Sequence, residues 1–207
     1  DDSLPIGEYC FYSQKGGIYM SKTAVIYCSR TGFSARYAKW IAKALHADLY
    51  RYKTIDSALL SQYQTLIYGA GFYCGFLKGR NWLKKLIRPL TAQKVLVYAT
   101  GSMPRVQPQD LQQEWDMNFT AEEQSRLHLF YLPGGMNYAR LSPPEQILMR
   151  LYRMYMLCSS KTREDTRSLM KDLDHSVDYT DREAIVPLLE EACGHPVRVI
   201  RRTSSLS

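Results

Sequence analysis

The chain is read as a single α/β domain built around a parallel sheet. Its 207 residues, 45% of them apolar, suit one domain with a core of ordinary size. From Thr23 onward, short runs of β-branched and aromatic residues alternate with amphipathic segments. Gly, Pro, Ser and Asp separate the runs. That alternation implies right-handed βαβ units, and in such sheets a ligand binds outside the carboxyl ends of the strands.

Residues 1–19 show no period and hold Pro5, Gly7, Gly16 and Gly17, so they read as a peripheral extension, with Met20 a natural start. The first strand is expected at 23–27 and a helix at 34–46, with Ser34 as its N-cap. A strand at 48–52 and a helical turn at 56–62 follow. A buried strand at 65–69 then runs into a long aromatic and glycine-containing loop at 70–79. A helix at 79–89, a strand at 94–99, a polar region at 101–116, a short helix at 121–125 and a strand at 128–132 complete the alternation.

Residues 143–157 leave almost no polar face beyond Arg150 and Arg153. A helix apolar nearly all round is buried or embedded in an interface. Core burial is the commoner fate, whereas the two arginines beside methionines and tyrosines suit a helix lying on a membrane surface. The segment to Asp178 is highly charged. A closing helix at 181–192 takes Thr180 as N-cap and Glu183 at the capping-box position, and the tail from Gly194 reads as frayed. The domain is thus placed at 20–194, followed by a basic tail at 195–207.

The formal net charge is +7. The three arginines of the tail are nearly offset by Asp1, Asp2 and Glu8 against Lys15, so the excess belongs to the body. A basic body favours anionic partners: a membrane surface, a carboxylated substrate or nucleic acid. The five cysteines are scattered with no CxxC pair, which argues against zinc and iron–sulfur sites. Nothing near the start resembles a secretory signal and no run approaches a spanning helix, so a reducing cytoplasm is the expected compartment. The four histidines form no ligand spacing and no nucleophile–base pair.

The chemistry gathers in three loops. The strand at 23–27 runs through Cys28 into Ser29-Arg30-Thr31-Gly32-Phe33-Ser34, three hydroxyls and a glycine ahead of a helix. A helix N-terminus offers free N–H groups and partial positive charge to a phosphate, and hydroxyls wrap it without lysine or metal. A P-loop lysine, a GxGxxG turn, a phosphatase arginine at position 34 and a receiver aspartate at 69–70 are all missing. The second loop holds Ala70, Gly71, Phe72, Tyr73, Cys74 and Gly75, an aromatic face with glycines that suits the large planar ring of a flavin. Thr100, Gly101 and Ser102 form a third wall, and residues 133–138 lie on the same edge. Cys28 and Cys74 read as small buried fillers rather than reactive thiols.

These loops, in this order, resemble the flavodoxin superfamily. The first fits its pattern of hydroxyl, any, hydroxyl, glycine, any, hydroxyl. The resemblance implies a flavodoxin-like three-layer sandwich, a five-stranded parallel sheet of order 2-1-3-4-5 and noncovalent FMN. More narrowly, the chain resembles the branch containing menaquinone-dependent protoporphyrinogen oxidase. The carriers of that likeness are residues 68–75, residues 132–138, the apolar helix with Arg150 and Arg153, and Val177-Asp178-Tyr179-Thr180-Asp181. The stretch from Pro104 to Asn118 does not match that branch. By the resemblance, residues 29–34 hold the phosphate, 71–75 border the ring and 100–102 line its other side.

The implied activity is an FMN-dependent oxidoreductase. In the oxidase version it removes hydrogens from protoporphyrinogen and passes electrons to a quinone, with peripheral membrane contact through 143–157 and no nucleic acid as partner. The alternatives are a soluble electron carrier, against which the basic charge weighs because flavodoxin carriers dock through an acidic face, and a non-enzymatic binding module on the same scaffold.

Overall fold

A computed structural model describes residues 9–13, 22–89, 93–137, 142–158 and 176–201. The central sheet is built from β2 (Thr23–Cys28), β3 (Asp48–Arg51), β4 (Thr65–Tyr73), β6 (Lys94–Gly101) and β7 (His128–Pro133). Their order is β3-β2-β4-β6-β7, with every neighbouring pair parallel. Counted along the chain this is second, first, third, fourth, fifth, the expected flavodoxin-like order.

Helices cover both faces, so the fold has three layers. On one face Val25, Ile67, Leu96 and Tyr98 pack on Tyr37, Ala38 and Ile41 of α1 (Phe33–Leu45) and on Leu188 and Leu189 of the last helix, Val186–Cys193. On the other face Ile26, Leu66, Tyr68 and Val97 meet Leu83, Leu86 and Ile87 of α3 (Arg80–Ile87) and Trp115 of α4 (Pro108–Asn118). Alternation along each strand supplies both faces, as a doubly covered sheet demands. The short helices α2 (Ser57–Leu60) and α5 (Ala121–Ser125) join these layers, and Thr120 closes a capping box with Glu123 at the start of α5.

Several expectations are corrected. The helix after β2 is not capped by Ser34. Its N-cap is Gly32, left-handed at φ 107°, and Ser34 lies inside the first turn. Residues 70–79 are not an open loop: β4 runs on to Tyr73, turns through Cys74 (φ 50°) and Gly75 (φ 79°), and returns as β5 (Phe76–Leu77). Two consecutive positive-φ residues make the tight hairpin turn whose twist matches the strands. The polar region at 101–116 contains α4, which its sparse apolar positions concealed. The closing helix begins as a 3-10 turn at Glu183–Ile185, and Asp181 Oδ1, not Thr180, accepts the Glu183 N–H at 2.9 Å.

The helix α6 (Pro143–Cys158) is not a core helix. Met149 and Leu157 pack with Met103, Met136 and Val177, but Ile147, Met154 and Tyr155 are 59%, 58% and 65% exposed. Two small ladders complete the description. β8 (Gly135–Met136) pairs with β9 (Val177–Asp178), and β1 (Tyr9–Ser13) pairs antiparallel with β10 (Val197–Arg201). The tail therefore pairs where fraying was expected. Met20, Tyr138, His175 and most of the charged segment before Asp178 lie outside the described residues.

The hairpin is tied down by one buried side chain. Asn118 Oδ1 accepts the Leu77 N–H at 2.8 Å, and Asn118 Nδ2 donates to the Gly75 carbonyl at 2.7 Å. Asn118→Ala strands those two backbone groups. The expected loss is about 1–3 kcal/mol, read as a lower urea midpoint.

Candidate functional site

The carboxyl edge brings the three loops together at the start of α1. Ser29 Oγ accepts the Gly32 N–H at 3.1 Å, which folds the turn back under the helix. Gly32 takes the left-handed φ that an L side chain resists. The first turn of α1 carries no side-chain cap and no acid, so the positive end of a 13-residue helix opens onto this edge. Phe33 is buried and Arg30 is exposed, whereas Ser29, Thr31 and Gly32 are half-buried around the opening.

Ser34 is not open to the edge. It is 3% exposed, and its Oγ pairs with Thr100 Oγ1 at 2.7 Å. Its carbonyl accepts the Tyr98 hydroxyl at 2.8 Å. Burial drives the Tyr98 pKa well above the ordinary tyrosine value, so the donor keeps its proton. The tie is possible because residue 69 is glycine: a Cβ there would stand 1.8 Å from the Tyr98 ring.

Gly71 stands on the same side, where a Cβ would sit 3.7 Å from Thr100 Oγ1 and 3.9 Å from Ser34 Oγ. Packing within the protein does not require glycine there. Ala70 and Cys28 are buried in the core under α3 and α4 and reach the edge only through their backbone. Phe72 also turns that way, with its ring 5.0 Å from Trp115. Strand alternation leaves Tyr73, half-buried, on the Gly71 side. Cys74 is exposed at the hairpin tip, which corrects the buried-filler reading, while Cys28 keeps it. Burial raises the Cys28 thiol pKa despite nearby cations.

The third and fourth loops are joined. The Gly101 carbonyl accepts the Gly134 N–H at 2.8 Å, and the Gly134 carbonyl accepts the Tyr179 N–H at 2.7 Å. Ser102 is half-buried beside them. Tyr131 donates to the Met103 carbonyl at 2.6 Å with its ring against Gly101. Tyr37 donates to the Pro133 carbonyl at 2.6 Å and accepts the Asp181 N–H at 2.9 Å. Burial pushes its pKa up to about 12. Arg36, in the first turns of α1, pairs with Asp178 at 2.6 Å and donates to Thr180 at 2.7 Å. Sequence reasoning missed Tyr98, Asn118, Tyr131 and the Arg36–Asp178 pair. Each acts across a gap in sequence that no local spacing reports. Among the described residues no group of His, Cys, Asp and Glu has the makings of a metal site.

The flavodoxin-domain family matches residues 24–165, and the chain belongs to that family. No curated protein matches it. Among solved structures it is similar to oxidised Flavodoxin 2 from Bacillus cereus, at 19% identity over 54% of this chain and 84% of that one, TM-score 0.43. It is also similar to a flavoprotein in complex with FMN from Lactobacillus acidophilus NCFM, at 14% identity over 55% and 92%, TM-score 0.37. A third is the apo form of an NADH:FMN oxidoreductase, at 14% identity over 74% and 87%, TM-score 0.38. The family match carries the assignment. FMN is the cofactor of a flavodoxin domain, and this edge fits it: an uncapped, acid-free helix start beside a half-buried hydroxyl at Thr31 suits a terminal phosphate.

Two outcomes follow from this geometry. Gly32→Ala forces a side chain into φ 107°, a strain of about 1–2 kcal/mol. FMN affinity should fall by roughly tenfold, measured by fluorescence titration. The Asp178 carboxyl is pushed up by burial, but the Thr180 N–H, Arg36 and the Thr180 hydroxyl outweigh that and leave its pKa below the ordinary value. A depressed carboxyl stabilises the fold above its unfolded pKa of about 3.9 and loses that contribution as pH falls through the folded value. Because the pair is largely exposed, the contribution is at most about 1 kcal/mol. Asp178→Asn should therefore lower the melting temperature at pH 7 and make little difference at pH 2.

Proposed function

We propose that this chain is an FMN-dependent oxidoreductase of the protoporphyrinogen oxidase kind, which takes hydrogens from an anionic organic substrate and passes electrons to a membrane quinone. When bound, FMN supplies reversible acceptance of electrons from substrate. The protein supplies position. The N–H groups of the first turn of α1 and the Thr31 hydroxyl hold the phosphate. Ser29 shapes the turn, and Ser34 with Thr100 ties it to the sheet. Gly71 and Tyr73, next to residues 100–102 on the neighbouring strand, would line the place of the ring, and Cys74 and Gly75 turn the hairpin beside it.

The observation that favours an enzyme with a lipid-borne acceptor over a soluble carrier is α6. It packs on Met103 and Met136 at the edge that carries the cofactor loops, and it exposes a row of large apolar side chains. Such a face suits a quinone and the membrane that dissolves it. The net charge of +7 favours a substrate that carries carboxylates. No helix among the described residues is long and apolar enough to cross a membrane, so the proposed contact is peripheral.

Purified protein should be yellow with flavin absorption bands, and the FMN-loaded protein should oxidise protoporphyrinogen with menaquinone as acceptor. Leu151→Gln with Met154→Gln should raise the KM for menaquinone by about tenfold at unchanged FMN content. Absence of turnover with and without membranes would overturn the oxidase reading. Reversible electron exchange without organic turnover would favour a carrier, and colourless protein that takes up no FMN would favour a binding module.

A further inference from the structure

The hairpin tip and the sheet edge beside it carry features that cofactor binding does not use. Phe76 is exposed beneath the Arg80 guanidinium, which lies 4.3 Å from its ring centre. Arg80 also donates to the Met117 carbonyl at 3.1 Å. Met117 is exposed, and its Cε reaches over Gly75. At the tip itself Cys74 is exposed. The hairpin thus adds two exposed apolar side chains, Phe76 and Met117, to the carboxyl edge on which α6 packs through Met103 and Met136.

Three further cations border this stretch. Arg51 ends β3 opposite Tyr27, and the chain beyond it is held by the Tyr52 N–H on the Tyr27 carbonyl at 2.7 Å. Lys53 follows in a left-handed conformation at φ 66°, in a turn closed by the Thr54 N–H and hydroxyl on the Arg51 carbonyl. Its ammonium lies over Tyr52. Lys78 stands at the foot of the hairpin, its N–H on the Gly71 carbonyl at 3.1 Å. The side chains of Arg51, Lys53 and Lys78 are exposed and, like Arg80, have no carboxylate partner among the described residues. Like charges gathered without partners repel, and an anionic surface relieves that repulsion.

A small anion would meet one or two of these cations at a time. The features instead follow the carboxyl edge from the end of β3 across β2 to the hairpin beyond β4, two strand steps or roughly 10 Å, so that one extended surface meets them together. We infer that this edge seats on an anionic lipid surface, with Phe76 and Met117 entering the headgroup boundary beside α6 while Arg51, Lys53, Lys78 and Arg80 take lipid phosphates. The inference rests on the reading that α6 meets a membrane. It adds the hairpin as a second point of entry, names the lipid class, and turns the cofactor loops toward the bilayer.

The test is co-sedimentation of FMN-loaded full-length protein with vesicles of phosphatidylcholine alone or with a third phosphatidylglycerol. Each cation near an anionic surface is worth about fivefold in affinity. The triple variant Arg51→Gln, Lys53→Gln, Lys78→Gln should therefore lose about a hundredfold in binding to the anionic vesicles, with FMN content and visible spectrum unchanged. Phe76→Ser should weaken binding to both vesicle types. If Leu151→Gln with Met154→Gln abolishes binding while the triple variant and Phe76→Ser bind as wild type, α6 alone meets the membrane and the inference is overturned. Wild-type protein that ignores both vesicles overturns it together with the α6 reading. Salt-sensitive retention on an immobilised acidic ferredoxin, without vesicle binding, would reassign the edge to a protein partner.

Discussion

The Tyr98 ring lies across Gly69 and donates to the Ser34 carbonyl, and the position of the whole cofactor edge depends on that contact. α1 must start at one place relative to β6 if its N–H groups are to meet a phosphate while the loops after β4 and β6 meet a ring. The Tyr98 bond fixes the first turn through its backbone, and the Ser34–Thr100 pair fixes it through a side chain. Both are buried, so each polar group would be costly to leave unpaired. A methyl at residue 69 would displace the ring and with it the start of α1.

The opposite side of the edge is held by different means. The hairpin beyond β4 has only two residue pairs of ladder and would be weak alone. Asn118 at the end of α4 completes it by bonding both the returning strand and the turn. Phe72 leans on Trp115 of the same helix. Thus α4 buttresses the hairpin after β4 as β6 buttresses the turn at 29–34. The fourth loop is secured by Arg36 with Asp178 and by Tyr37 with Pro133, both from α1.

The edge that carries the cofactor loops is bordered by cations at the β3 side and by exposed apolar side chains at the α6 side. Such a border suits a substrate or surface with anionic groups over an apolar interior, and it links the proposed chemistry to where the chain would perform it.

The sequence by itself determined the sheet, the helices α1 and α3 and the turn at 29–34, because alternating apolar runs and loop residues encode local conformation and burial, whereas α4 was concealed in a polar stretch. It placed the three loops on one edge through the rule that parallel strands share a carboxyl end. It did not reveal that Ser34 faces inward, that Phe72 turns to Trp115, or that residues 70–79 form a hairpin. Those outcomes depend on neighbours 30 to 70 residues away, such as Thr100, Trp115 and Asn118, whose pairing leaves no local period. The all-apolar helix shows the same limit. Its pattern favoured burial somewhat over an interface, and only the packing of Met149 and Leu157 against Met136, with Ile147, Leu151, Met154 and Tyr155 exposed, decided between them.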